Sequence, residues 1–238
     1  IFNDSSGNGG MFPGIVNGNC TFNDSSGNYG TINGNCTFNS AANYGTITGD
    51  CTFNDISYNY NTITGDCIFN DYSGAFGGSW PSITGNCIFN DYAYTNMGTA
   101  IIGNCIFNDN AGAGSGYLYG NLTLNDTSWC LYLTVWNGLL TFNDSSYISD
   151  FGFINHSMGG GECVFGTITA QCTFNHNSSN NGGTVSSYGE STYCTFNHSS
   201  RSNAGSINAA TITFKDVSYY RLTSVTGDVI FTNRTPYP

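Results

Sequence analysis

Residues 45–55 read GTITGDCTFND, and this stretch decides the fold. Ile47, Gly49, Cys51 and Phe53 fall on one parity; Thr46, Thr48, Asp50, Thr52 and Asn54 fall on the other. A period of two is the signature of a strand with one face inward. Thr, Ile and Phe also favour strands. Gly49-Asp50 interrupts the run with two residue types that tolerate unusual backbone angles. The segment therefore reads as two short strands joined by a bend.

The same segment recurs along the chain. It appears as TINGNCTFN at 31–39, TITGDCIFN at 62–70, SITGNCIFN at 82–90, AIIGNCIFN at 100–108 and SVTGDVIFT at 224–232. Its Phe falls at 22, 38, 53, 69, 89, 107, 142, 174, 196, 214 and 231, with Leu124 in its place once. Between copies lies a polar stretch such as DSSGNYG, which closes the coil. A helix-free unit this short cannot bury its own apolar face, whereas stacked coils about 4.8 Å apart share a continuous interior. The expected fold is all-β: one continuous parallel β-solenoid over 1–238, with coils of about 15–20 residues and a rod length of about 60 Å. Antiparallel meanders are the competing reading, but they would not hold identical residues at one register. Extra residues at Gly74–Pro81, Ala111–Tyr117 and Ser178–Ser187 all follow the Phe-Asn-Asp or Phe-Asn-His step, so the insertions belong to one edge. Residues 144–171 fit worst, either as distorted coils or as a projecting loop. Cys163-Val164-Phe165 there resembles the Cys-x-Phe strand. Residues 233–238 form a tail.

Stacking turns each repeat position into a column. Phe22, Phe38, Phe53, Phe69, Phe89 and Phe107 form an interior ladder. Cys20, Cys36, Cys51, Cys67, Cys87 and Cys105 form another, continued at Cys172 and Cys194. Leu, Ile or Val fills that position elsewhere, so it reads as a buried apolar site. Disulfides between coils are the alternative, but stacked strands hold β-carbons wider than the ~3.8 Å a disulfide prefers. No C-x-x-C pair exists, and in-line thiols do not enclose a tetrahedral metal site. Asn23, Asn39, Asn54 and Asn70 begin a column whose amides can bond one another along the axis.

The next column is acidic, and Asp55, Asp71, Asp91 and Asp109 are its calcium candidates, against a turn-capping role. His176 and His198 replace Asp in later copies, and His156 sits in a similar context, as substitutions within a turn. Tyr29, Tyr44 and Tyr60 form a column able to pack or to dock sugars. The Thr46/Thr48 and Thr62/Thr64 rows suit an ice-binding face, but Asn33, Ala100 and Ile102 interrupt it.

Composition narrows the function. Only 8% of the 238 residues are charged and the net charge is −11. Residues 1–200 contain neither Lys nor Arg, which argues against nucleic acid as a partner. No apolar run reaches the ~20 residues of a membrane helix, so no membrane insertion is expected. No secretion signal opens the chain, so any such segment was removed or lies outside it. No nucleophile, base and orienting group recur together, so no catalytic residue and no cofactor is expected beyond the calcium candidates.

The consensus GTITGNCTFNDSS resembles long Asn/Thr/Gly-rich, TFNDSS-type surface repeats of environmental bacteria, with Cys where Ala is common. That resemblance implies an extracellular or cell-surface β-solenoid and transfers no catalytic residue. The expected function is a structural subunit of a fibre, filament or surface stalk. An adhesin or receptor- or glycan-binding solenoid is the alternative. Ile1-Phe2-Asn3 matches the second strand of a coil, and Ile230, Phe231 and Arg234 lie near the other end. All four basic residues fall at or after Arg201, so a basic end would meet an acidic one in a head-to-tail homopolymer.

Overall fold

The computed structural model describes residues 1–9, 14–76, 82–96, 98–114, 116–130, 133–136, 140–144, 146–149, 163–164, 167–168, 172–174, 179–181, 184–186, 193–197, 201–203, 206–215, 219–221 and 224–232. These residues are strand, turn, bend or irregular, with no helix among them. The fold is a parallel β-solenoid. It divides into two compact units, Ile1–Tyr119 and Gly120–Pro238.

In the first unit each coil has three short strands, one more than the sequence pattern announces. The coil built on the opening segment runs Thr46–Thr48, Cys51–Asn54 and Tyr58–Asn59. Like strands stack into three parallel sheets, here called the Ile, Cys–Phe and turn sheets. Their registers put Ile47 against Ile32 and Ile63, Phe53 against Phe38 and Phe69, and Asn43 against Asn28 and Asn59. The turn sheet is hard to see in sequence because its strands are two or three residues long and vary from GN to AN, YN, GAF and YTN. Gly74–Phe76 and Gly112–Ala113, which read as parts of insertions, are rungs of this sheet.

Two corners of the coil are set by backbone conformation. The Gly of each Gly-Asx bend has positive φ, 151–157° at Gly34, Gly49, Gly65, Gly85 and Gly103. A Cβ at Gly65 would also collide with the backbone carbonyl of Gly49 in the preceding coil. The second corner follows the Phe-Asn step. Asp24, Asp55, Asp71, Asp91 and Asp109 have φ of 50–60°, and the Ser73 N–H donates to the Asn70 carbonyl at 3.1 Å. Asp and Asn tolerate this left-handed conformation better than other side-chain-bearing residues.

The interior consists of these columns. Phe22, Phe38, Phe53, Phe69 and Phe89 are fully buried, and successive rings from Phe22 to Phe107 stack with centroids 4.6–4.8 Å apart. Ile32, Ile47, Ile63 and Ile83 are likewise fully buried. Ser57 and Ser73 line the interior and donate to the carbonyls of Phe38 and Phe53.

The described strands of the second unit repeat the pattern. Its Cys–Phe sheet places Cys172 against Leu140 and Cys194, and Phe174 against Phe142 and Phe196. The long step from Phe142 to Phe174 is therefore a single rung in this sheet. Cys163-Val164 instead pairs with Ile148-Ser149 in the turn sheet, so it is not the Cys-x-Phe strand its sequence resembles. Residues 151–162 within the 144–171 stretch, and the tail 233–238, lie outside the described residues. Between Ile207 and Ile212, Asn208-Ala209-Ala210 replaces Gly-Asx. Here, and again across Gly227-Asp228, the two strands run together as one, Ser206–Lys215 and Ser224–Thr232, and the register between them shifts between Asn208 and Thr211.

Candidate functional site

The chemistry-bearing residues of the first unit lie in columns, and each column has a defined set of partners. Asn23, Asn39, Asn54 and Asn70 sit half-buried beside the Phe ladder. Each Nδ2 donates to the Oδ1 of the preceding coil's Asn at 2.8 Å, starting with Asn23 to Asn3. The series continues through Asn90 and Asn108. One donor and one acceptor per amide are used along the axis, so the column fixes the register of neighbouring coils.

A second amide ladder is hidden in the polar stretches between repeats. Asn8, Asn28, Asn43 and Asn59 are buried inside the turn sheet, and their amides bond in series at 2.7–2.9 Å. Asn43 Oδ1 also accepts the N–H of Gly45 at 3.2 Å. The signal available in sequence is the repeated Asn-Tyr-Gly at 28–30 and 43–45, whose polar Asn looks like a loop residue. A third, exposed series lies at the Gly-Asx bend. There the side-chain oxygens of Asn35, Asp50, Asp66 and Asn86 accept the N–H of the next coil's Asx.

The calcium candidates sit at the exposed turn corner. Asp71 Oδ2 accepts the Asp55 N–H at 3.2 Å, and Asp91 Oδ2 accepts the Asp71 N–H at 3.4 Å. Left-handed backbone and carboxylate-to-amide bonding thus account for Asp55, Asp71 and Asp91 as turn residues, and Asp109 shares their backbone angle. Among the described residues, no three His, Cys, Asp or Glu side chains converge as a metal site. His156, His176 and His198 lie outside the described residues.

Cys20, Cys36, Cys51, Cys67, Cys87 and Cys105 are buried free thiols stacked Cys on Cys. The thiols of Cys36 and Cys51 each meet the carbonyl of the bend Gly two residues back at 3.7 Å. A hydrogen bond with the Cys51 thiol, then burial, pushes the Cys36 thiol far above its ordinary range. Cys87 is raised first by its bond with Cys105 and then by burial. At Cys51 the bond with Cys36 favours the thiolate, but the bond with Cys67 and burial outweigh it.

Unfolded thiols ionise near pH 8.5–9, while those of Cys36, Cys51, Cys67 and Cys87 stay protonated in the folded protein. Their contribution to stability is complete below that range and is lost progressively as pH rises above it. Chemical denaturation between pH 7.5 and 10.5 is expected to show stability falling by up to about 1.4 kcal/mol per pH unit per thiol above pH 9. A variant with Cys36, Cys51 and Cys67 replaced by Val is expected to give a flatter profile, and an unchanged profile would contradict the assignment.

The exposed surface carries aromatic rows. Tyr29, Tyr44 and Tyr60 stack with centroids 5.0 and 4.9 Å apart, as do Tyr72 and Tyr92 at 5.1 Å. Phe76 meets Tyr58 and Tyr94 edge-on at 5.0 and 4.9 Å. Within the Tyr29–Tyr60 row the middle ring is covered on both faces by its neighbours, leaving its edge to solvent. On the Ile sheet, Thr46, Thr48, Thr64 and Thr84 are exposed, but Asn33 and Ile102 occupy the same outer row.

No protein-family model, no curated protein and no solved structure matches the chain. The fold is one that fits a structural or binding repeat protein.

Proposed function

We propose that this is a non-catalytic structural protein of the extracellular space or cell surface, and that its solenoid ends stack head to tail into fibres. One observation carries the reading: each coil contacts the next through identical groups. Phe meets Phe at 4.6–4.8 Å, and Asn meets Asn at 2.8 Å, from one coil to the next. The surface a coil offers is therefore the surface the next coil accepts, and a second copy can use the same contacts. Phe2 already stacks on Phe22 at 4.6 Å, and Asn3 accepts from Asn23. In the second unit, Ile230 and Phe231 are 44% and 43% exposed, which offers apolar surface to such a contact. Arg234 lies outside the described residues. The extracellular placement is supported by the resemblance to surface repeats and by a first 200 residues without Lys or Arg.

Negative-stain electron microscopy and sedimentation over a hundredfold concentration range test the proposal. Filaments that lengthen with concentration are expected, with elongation blocked by Phe2→Asp. Monodisperse particles at every concentration would refute it. A second reading, a glycan-binding stalk, is favoured by the half-buried, edge-on cluster of Tyr58, Phe76 and Tyr94. It predicts glycan-array binding that is lost when these three rings are replaced.

A further inference from the structure

The cysteine column has a geometry that neither the fibre nor the glycan reading uses. We propose that the stacked thiols of Cys20, Cys36, Cys51, Cys67, Cys87 and Cys105 form linear, two-coordinate sites for thiophilic cations such as Hg(II), one metal bridging each pair of adjacent coils it occupies.

Spacing is the first reason. The six cysteines pair Cα to Cα in unbroken register. The thiols of Cys20, Cys36, Cys51 and Cys67 all sit 3.7–3.9 Å from the carbonyl of the Gly two residues back, so they share one orientation. Thiols so oriented repeat at the rise of the stack, which the Phe rings two residues further along set at 4.6–4.8 Å. The in-register Cys-on-Cys pairing and this shared orientation place each sulfur over the sulfur of the neighbouring coil. A soft cation with metal–sulfur bonds of about 2.3 Å, placed between two such sulfurs, spans about 4.6 Å. The match needs no movement of the coils.

The same spacing disfavours the alternatives. A disulfide would have to draw neighbouring β-carbons to about 3.8 Å, closer than the coil rise. A tetrahedral zinc site needs four donors around one point, and a straight column supplies two on opposite sides.

Charge is the second reason. The reaction is Hg²⁺ + 2 RSH → Hg(SR)₂ + 2 H⁺, with the protons released to solvent and no electron transferred. The product is neutral, as the surrounding Phe and Ile ladders require. A sulfur bridging two metals adopts a bent angle, which a straight column does not provide. Each thiol therefore binds one metal, and six thiols take three. Access runs through the adjacent bend, where Asp50 and Asp66 precede Cys51 and Cys67 and are exposed. Their carboxylates attract a cation to that corner.

Pairing gives a test that simple thiol titration cannot imitate. The reduced, full-length protein is titrated with Hg(II), and bound metal is counted by native mass spectrometry, with folding checked by circular dichroism. Cys51→Val/Cys67→Val leaves two adjacent pairs, 20/36 and 87/105, and is expected to lose one metal. Cys36→Val/Cys87→Val removes the same number of thiols but leaves only the pair 51/67, and is expected to lose two. Val is chosen because Val229 occupies the same repeat position. Equal losses in the two variants, or no uptake by the folded wild-type protein, would overturn the proposal. X-ray absorption on the wild-type complex decides the matter without any variant. Two sulfurs at about 2.3 Å are expected, and three or more ligands, or oxygen and nitrogen ligands, would contradict it.

Discussion

Gly65→Ala is expected to destabilise its coil by about 3 kcal/mol or more. Two costs combine. Gly65 has φ of +157°, a conformation L side chains rarely adopt, and a Cβ there would strike the carbonyl of Gly49. Neither coil can retreat. The Gly49 N–H donates to the Thr64 carbonyl at 2.9 Å, and the Gly65 N–H donates to that of Thr84 at 2.9 Å, so the coil spacing is held from both sides. Because a stack of repeats opens locally, native-state hydrogen exchange is the suitable readout. Amides of 49–54, 65–69 and 85–89 are expected to lose protection together. Thr64→Ala, at an exposed position next to the bend, is expected to change it little. Equal effects of the two substitutions would show that the bend does not require glycine.

Phe53→Ala is expected to cost about 3–5 kcal/mol, as truncation of a fully buried aromatic ring does elsewhere. Phe53 is fully buried and stacked between Phe38 at 4.7 Å and Phe69 at 4.8 Å. Its removal leaves a cavity and breaks two ring contacts at once. The Asn54 ladder bonds to Asn39 and Asn70 should weaken with it, since all three amides adjoin the Phe ladder. The loss should be largest in that coil and its two neighbours and fade beyond them. Uniform destabilisation of distant coils would contradict nearest-neighbour stacking.

The repeated GTITGDCTFND pattern makes the parallel stack, its register and its Phe, Cys and outer Asn columns legible in the sequence itself. Each is a residue identity held at a fixed phase, and only vertical stacking uses such identity. The turn sheet is not legible in this way. Its strands are too short for a period, and its inward Asn28, Asn43 and Asn59 are polar residues whose burial is possible only because each amide finds its partner in the neighbouring coil. Cys163 misleads for the opposite reason. A short Cys-x-Phe match carries no context, and pairing with Ile148 places it in another sheet. The Asp column is ambiguous because sequence alone does not show φ. The φ of 59° at both Asp55 and Asp71 makes it a turn column.

The most direct measurement is the set of contacts between aromatic rings in protein carrying selectively labelled Phe. Nuclear Overhauser effects are predicted between the rings of Phe38 and Phe53 and between those of Phe53 and Phe69, with none between Phe38 and Phe69. Absence of the first two, or Hα–Hα contacts between neighbouring strands that mark antiparallel pairing, would contradict the stacked parallel solenoid.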